Sequence, residues 1–431
     1  MGGVHSSGGK TATTCLLLAA LRCRGLRVQP FKAGPDYIDG SYHERYAGRP
    51  SRTLDTWLLG AEGVKAEALR HGEGAVSVVE GVMGLFDGAT STSDEGSTAE
   101  LARLLDWPVI LVLPCSTAGR SILATVRGFA AEAGEGRIAG LILNQVGGES
   151  HARYLREALG PLGIPVLGAI PSDERLKWPE RHLGLQAAQE RTFVSVGEWA
   201  AIAESYLDVV ALLDLVEPAP ARQAAPSRTG ARTRIAVARD AAFHFYYPAN
   251  LDHLADVGFE IVPFSPLEDS ALPSGIEGMV LGGGFPEVYA APLAANELLR
   301  REIRAVIAAG LPCYAECGGL MYLSEFLVDQ TGARHPMVGV VPGAVVMTRN
   351  LQHFGYCEGR PDDGGGPCRG HEFHHSRWEA EEAEANLWRV VRRSTGAERR
   401  EGFGRRGLHA SYVHLFWSRA GGLVERVLRG G

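Results

Sequence analysis

The hydrophobic positions of this chain come in short bursts rather than in one sustained period. A stretch from Thr11 to Arg24 has helical length and spacing and is closed by Gly25. Buried-looking runs follow at Val76–Val79, Val109–Leu113 and Leu141–Leu143, separated by helical stretches such as Ala99–Leu105 and Ser121–Ala131. Such alternation predicts a doubly wound parallel sheet. The style repeats later: Arg234–Val237, Gly278–Leu281 and Pro312–Ala315 read as buried strands, each entering a polar or glycine-rich turn. Ligands of open α/β sheets collect at the carboxyl ends of strands, so chemistry is expected in those turns. Between the two halves, Glu217 to Thr233 is rich in Pro, Ala and Arg and has no apolar period. The expected organisation is two α/β domains, residues 1–216 and 234–431, joined by a linker over 217–233.

Composition narrows this picture. With 431 residues, 45% hydrophobic and 22% charged, the chain is an ordinary globular protein with room for more than one core. A net charge of −7 argues against a general nucleic-acid surface. No apolar run approaches the roughly 20 residues that span a bilayer, and the start lacks a signal-peptide pattern. Seven cysteines, odd in number and widely scattered, suit a reduced cytoplasmic protein with free thiols. Nothing in the sequence speaks to oligomeric state. Of the 43 basic residues only four are lysines: Lys10, Lys32, Lys65 and Lys177. Lys10 and Lys32 stand out, because a chain that almost always uses Arg keeps Lys where a compact ammonium is needed.

Lys10 sits in Gly3–Thr11 (GVHSSGGKT), just before the first helix. Small residues there, Gly8 and Gly9 among them, let backbone N–H groups converge on phosphate oxygens. Lys10 would reach the terminal phosphates and Thr11 would ligate Mg²⁺. The spacing, G-x₅-G-K-T, is one residue longer than the usual phosphate loop. Such loops ordinarily follow a buried strand, yet only two residues precede Gly3. The expectation is that the natural protein has about ten more residues before Met1; intact-mass measurement of the native protein tests it. Lys32, Asp36, Tyr37 and Asp39 follow the second strand, and Glu80 ends the Val76–Val79 run. Carboxylates beside a lysine suit Mg²⁺ and phosphate, which makes Asp36 and Glu80 further metal candidates and Asp87 a weaker one.

A second constellation lies in Pro312–Leu320 (PCYAECGGL), which reads as strand, sharp turn and helix. Cys317 occupies the turn as a nucleophile on a strained elbow would, and the helix N-terminus behind it is expected to favour thiolate. Backbone N–H groups of Gly318 and of the Gly282–Glu287 loop, Gly283 in particular, would form an oxyanion hole. His414, on an apolar strand-like run, is the candidate base. His371–His375 (HEFHH) fits the zinc-protease pattern H-E-x-x-H, but neighbouring Pro367, Gly370, Phe373 and Trp378 favour an extended strand contacting substrate. An arginine cluster from Arg389 to Arg406 reads either as a solvated face or as an attractor of anionic substrate.

These segments resemble the cobyrinic acid a,c-diamide synthase family of the cobalamin pathway. The matching stretches are 3–11, 32–43 (KAGPDYIDGSYH), 79–88 (VEGVMGLFDG), 282–287 (GGGFPE), 314–323 (YAECGGLMYL), 369–376 (RGHEFHHS) and 411–417 (SYVHLFW). They run in family order over nearly the whole chain. The resemblance implies a P-loop synthetase domain, like dethiobiotin synthetase, fused to a class I glutamine amidotransferase-like domain. It implies that Cys317 attacks glutamine, with His414 as its base, to release ammonia. It implies that ATP, held through Lys10, Thr11, Lys32 and Mg²⁺, phosphorylates a carboxylate of a corrinoid polycarboxylate, with Asp36, Tyr37, Asp39 and Glu80 near metal and substrate. Ammonia then gives the amide, at the c and then the a acetate. Cobyrinate, hydrogenobyrinate and nickel-sirohydrochlorin remain open as the macrocycle. A P-loop ATPase switch of the partition or metallochaperone class remains open as another kind of function, and a zinc hydrolase using His371 and His375 as a third. Many class I amidotransferases carry a Glu two residues after the histidine. Here that position is Phe416, which leaves His414 without an evident carboxylate partner.

Overall fold

The computed structural model describes residues 1–176, 180–181, 184–185, 194–216, 232–362, 365–381 and 384–431. Lys177 and residues 217–231 of the expected linker lie outside them. The chain divides into two compact units, Met1–Ala224 and Ala225–Gly431.

The first unit is built on parallel strands. Gly2–Gly3, Val109–Pro114, Ile138–Val146 and Val166–Pro171 form one ladder in that order. Arg52–Leu54, Val28–Ala33 and Val76–Glu80 form a second. The first strand is thus two residues long. The Met1 amino group donates to Val79 O at 2.7 Å, and Gly81 N–H donates to Met1 O at 2.8 Å, so this short piece touches both ladders. A cavity of about 600 Å³ lies beside this short piece, lined among others by Met1, Gly2, Val76, Val78, Val109 and Ile110. The helix Lys10–Cys23 carries an unbroken buried run, Thr13 to Leu21, and so lies inside the unit rather than on its surface. Trp199 stacks on Tyr46 at 4.5 Å in the same core.

The second unit centres on a six-stranded sheet in the order Phe259–Phe264, Thr233–Ala238, Gly278–Leu281, Cys313–Glu316, Leu408–Ser411, Phe403–Arg405. Its first five strands are parallel and the last is antiparallel. The three buried runs expected here are the strands at its centre. Two mainly antiparallel ladders, unforeseen from the hydrophobic pattern, fill much of the chain between 324 and 401. One of them carries Cys368–His374 beside His414–Leu415. Among the described residues no helix is long and apolar enough to cross a membrane.

Candidate functional site

In the first unit the candidates converge where the strands end. Gly9 has a left-handed backbone (φ 86°), and a side chain there would collide with Asn144, whose Nδ2 lies 1.9 Å from the position of a Cβ. Glycine is therefore required twice over. Asn144 Nδ2 donates to Gly8 O at 3.1 Å and ties the loop to the Ile138–Val146 strand. Lys10 Nζ donates back to His5 O at 3.1 Å, and burial followed by the charge of Lys32 lowers its pKa. Thr11 Oγ1 donates to Glu80 Oε1 at 2.6 Å.

Lys32 is the hub. Its Nζ lies 2.5 Å from Asp39, 3.0 Å from Glu80 and 4.0 Å from Asp36. Burial alone would lower its pKa, but Asp39, Glu80 and Asp36 together hold it above the usual lysine range. Glu80 is buried too, yet Lys32 and His43 keep it ionised well below the usual carboxylate range. His43 Nε2 lies 2.5 Å from Glu80 Oε2, with Nδ1 3.2 Å from Ser51 Oγ. Asp39 and His43 stand one helical turn apart on Asp39–Ala47, so one helix face supplies both. Asp36 Oδ1 accepts from the N–H groups of Ile38 and Asp39, leaving Oδ2 towards Lys32. Tyr37 is half-buried on the same turn. Asp87 Oδ2 accepts from Gly84 N–H and shapes its own turn. Among the described residues no three His, Cys, Asp or Glu form a metal cage. Mg²⁺ needs none, since it binds through one or two protein oxygens plus phosphate and water, and Thr11, Glu80 and Asp36 supply oxygens of that kind.

In the second unit Cys317 has φ 48° and ψ −102°, between the Cys313–Glu316 strand and the Gly318–Leu323 helix. Such a backbone costs about 1–3 kcal/mol and persists only where its surroundings impose it. The Cys317 N–H donates to Ser411 O at 2.7 Å, at the end of the neighbouring strand. Gly283 lies against His414: a Cβ there would come within 2.6 Å of the imidazole Cε1. A Cβ on Gly318 would meet Gly284 N at 3.1 Å, so the two glycine segments touch. Gly282 N–H is given to Tyr246 Oη at 2.7 Å, and Gly283–Gly284 pairs antiparallel with Phe243–Phe245. His414 stacks on His371 (5.0 Å, 13°), whose Nε2 lies 2.7 Å from Tyr247 Oη. Asn250 brackets the same strand, donating to Leu415 O and accepting from Trp417 N–H, both at 2.9 Å.

Two stretches of sequence match known domain families. Residues 3–185 match the CobQ/CobB/MinD/ParA nucleotide binding domain, and residues 234–421 the CobB/CobQ-like glutamine amidotransferase domain. Nearly the whole chain aligns with the cobyrinate a,c-diamide synthase of Syntrophotalea carbinolica, at 43% identity over 97% of this chain and 95% of that protein. The chain belongs to the cobyrinate a,c-diamide synthase family. The synthase of that name from Gloeobacter violaceus is 42% identical over 98% of this chain and 94% of its own length. The hydrogenobyrinate a,c-diamide synthase of Streptomyces coelicolor is 39% identical over 98% and 94% respectively.

Against this family background two expectations change and a third holds. The Cys317 thiol is not a resting thiolate: burial, then the nearby Glu287 carboxylate, hold it well above the usual thiol range. The Gly318 N–H opposes this but does not prevail. Second, His414 does have a carboxylate neighbour. Glu316 Oε2 lies 3.5 Å from its Nδ1. Third, the extended reading of the H-E-x-x-H stretch holds: it does not lie on a helix. His371 lies within an extended strand facing Tyr247 and His414, and His375 in the bend after it. The Arg389–Arg406 cluster is largely engaged at home: Arg389 faces Glu398, Arg399 Glu372, and Arg400 Asp362.

Sequence reasoning missed Asn144, His43, Asn250 and Glu316 as parts of these sites. Three of them carried a signal: Asn144 a polar residue just after a buried run, His43 a histidine four residues beyond Asp39, and Glu316 a charge directly before the elbow cysteine.

Proposed function

We propose that this chain is an ATP-dependent, glutamine-hydrolysing ligase that amidates the a- and c-acetate carboxylates of cobyrinate or hydrogenobyrinate. The observation that carries the reading is the strained Cys317 elbow, whose neighbour Gly318 packs on the Gly283–Gly284 segment that in turn abuts His414, in a chain whose other unit gathers Lys10, Thr11, Lys32 and Glu80 around a phosphate loop.

In the glutaminase half, His414 takes the thiol proton as Cys317 Sγ bonds to the carboxamide carbon of glutamine. The carbonyl electron pair moves onto oxygen, which the Gly318 N–H and the Gly283–Gly284 backbone stabilise. Collapse breaks the C–N bond, and His414 returns its proton so that ammonia leaves. Water then attacks the thioester, its proton passes through His414 back to sulfur, and glutamate departs. In the synthetase half, a macrocycle carboxylate oxygen bonds to the γ-phosphorus of ATP and ADP leaves. Ammonia adds to the acyl phosphate carbon, phosphate leaves, and a proton goes to solvent. The backbone of the Gly8–Gly9 loop cradles phosphates, and Lys10 turns from His5 O towards them. Lys32 holds Asp39 and Glu80 in place. Thr11, Glu80 and Asp36 would hold Mg²⁺, which when bound neutralises charge on the phosphates. Seven free thiols support a reducing, cytoplasmic compartment.

The test is Cys317→Ala. Glutamine-driven amidation should vanish while ammonia-driven amidation persists. Loss of both in a folded variant contradicts the division of labour.

A further inference from the structure

We infer that Glu316 is the positioning residue for His414: it fixes the imidazole tautomer and balances the charge that His414 gains during glutamine hydrolysis. The inference rests on reading Cys317 and His414 as the glutaminase pair.

Glu316 is the last residue of the Cys313–Glu316 strand and only 2% exposed. A carboxylate so buried is tolerated only when its oxygens are satisfied or paired. Its two oxygens have separate tasks. Oε1 accepts from Tyr314 Oη at 2.6 Å, Trp417 Nε1 at 2.9 Å and Leu415 N–H at 3.2 Å. Those three donors fix the carboxylate plane, and the Leu415 N–H belongs to the residue after the histidine. Oε2 is thereby turned to His414 Nδ1 at 3.5 Å. Among the described residues His414 is the one basic side chain in ion-pair range of Glu316. The distance exceeds an ordinary hydrogen bond, but catalytic contacts of this kind tighten once substrate is bound.

The direction of the contact matters. A proton on Nδ1 facing Glu316 puts the acceptor lone pair on Nε2, the atom that would take the thiol proton. Once His414 carries that proton, the ring is an imidazolium in a buried site. His371, stacked on its face, cannot compensate: burial and the neighbouring His414 push its own pKa well below the usual imidazole range, so it stays neutral. Glu316 supplies the opposing charge. The carboxylate that related folds carry after the histidine is here delivered from the residue before the nucleophile, so one strand end positions both Cys317 and its base.

The test uses the full chain with Glu316→Gln, which keeps shape and the Oε1 acceptor but removes charge. Glutaminase kcat should fall on the order of 10⁴-fold, as when another triad loses its carboxylate. KM for glutamine and ammonia-driven amidation should stay unchanged. The acidic limb of the kcat/KM profile should move to lower pH, because loss of the carboxylate makes His414 a weaker base. A purely structural role would lower the plateau without moving that limb. A kcat within twofold of the parent, or a superimposable pH profile, overturns the inference. Cys317→Ala run alongside separates the two levels: if it retains glutamine-driven activity, the glutaminase reading itself fails. Should Glu316→Gln not fold, NMR of the unaltered protein decides. A strongly deshielded Nδ1–H resonance that is lost in His414→Gln is expected in the covalent adduct with a glutamine analogue, and its absence overturns the inference.

Discussion

Replacing Lys32 with Met removes the one ammonium that Asp39, Glu80 and Asp36 share, while keeping most of its length. Lys32 is 3% exposed, and its contacts at 2.5 and 3.0 Å are with carboxylates that are themselves largely buried. Breaking a buried pair by deleting one partner costs about 3–5 kcal/mol, because the other charge stays behind uncompensated. For a unit of this size each kcal/mol lowers Tm by about 2–4 °C, so the first unit should melt roughly 6–20 °C earlier at pH 7.5. The two carboxylates nearest Lys32 shift in opposite directions: burial and Asp36 raise the Asp39 pKa, so it protonates first on acidification, and the sign of the charge-pair stability is set by Glu80. Lys32 and His43 hold the Glu80 pKa below its unfolded value of 4.5, so the resulting stability is present above that pH and is lost as pH falls. In Lys32→Met burial dominates and raises the carboxyl pKa, so protonation relieves the variant first. The gap in Tm between parent and variant should be widest near neutrality and narrow towards pH 5. Scanning calorimetry at several pH values reads both effects. A shift below 1 °C at pH 7.5, or a gap that widens on acidification, refutes the idea that Lys32 neutralises this cluster.

Lys10→Arg should abolish ATP-dependent amidation with either nitrogen donor, since a planar guanidinium fits poorly where a compact ammonium meets phosphate. Glutamine hydrolysis, assayed as glutamate release, should survive. Gly283→Ala drives a methyl into His414 Cε1 and should cut glutaminase kcat about 100-fold while ammonia-driven amidation continues; near-parental glutaminase activity would show that the ring does not depend on this approach. Treatment with a zinc-selective chelator should leave glutamine hydrolysis unchanged, because His371 is held in a strand against Tyr247.

The parts of the molecule that were legible in sequence share a cause. Val109–Pro114, Ile138–Val146 and Gly278–Leu281 are strands covered on both faces, so they appear as apolar runs with nothing polar to disguise them. The Gly8–Lys10 loop and the Cys317 elbow are local devices whose residues stand side by side in the chain. What was hidden depends on distant partners. Glu316 meets Leu415 across 99 residues, Asn144 meets Gly8 across 136, and His43 meets Glu80 across 37. Apart from the His371–His375 stretch, the strands between 324 and 401 were hidden for another reason: they pair mostly antiparallel and carry charged residues such as Arg389 and Arg399, which mask the alternation. The thiolate expectation failed on magnitude. The six-residue helix Gly318–Leu323 does not offset burial of the sulfur beside Glu287.

The most direct measurement is to incubate the protein with ATP, Mg²⁺ and glutamine and with cobyrinate, hydrogenobyrinate or nickel-sirohydrochlorin in turn, and to count amidations by mass. Two amidations on cobyrinate or hydrogenobyrinate, each requiring ATP and glutamine, are expected. ATP hydrolysis without amidation of any macrocycle would contradict the proposed function.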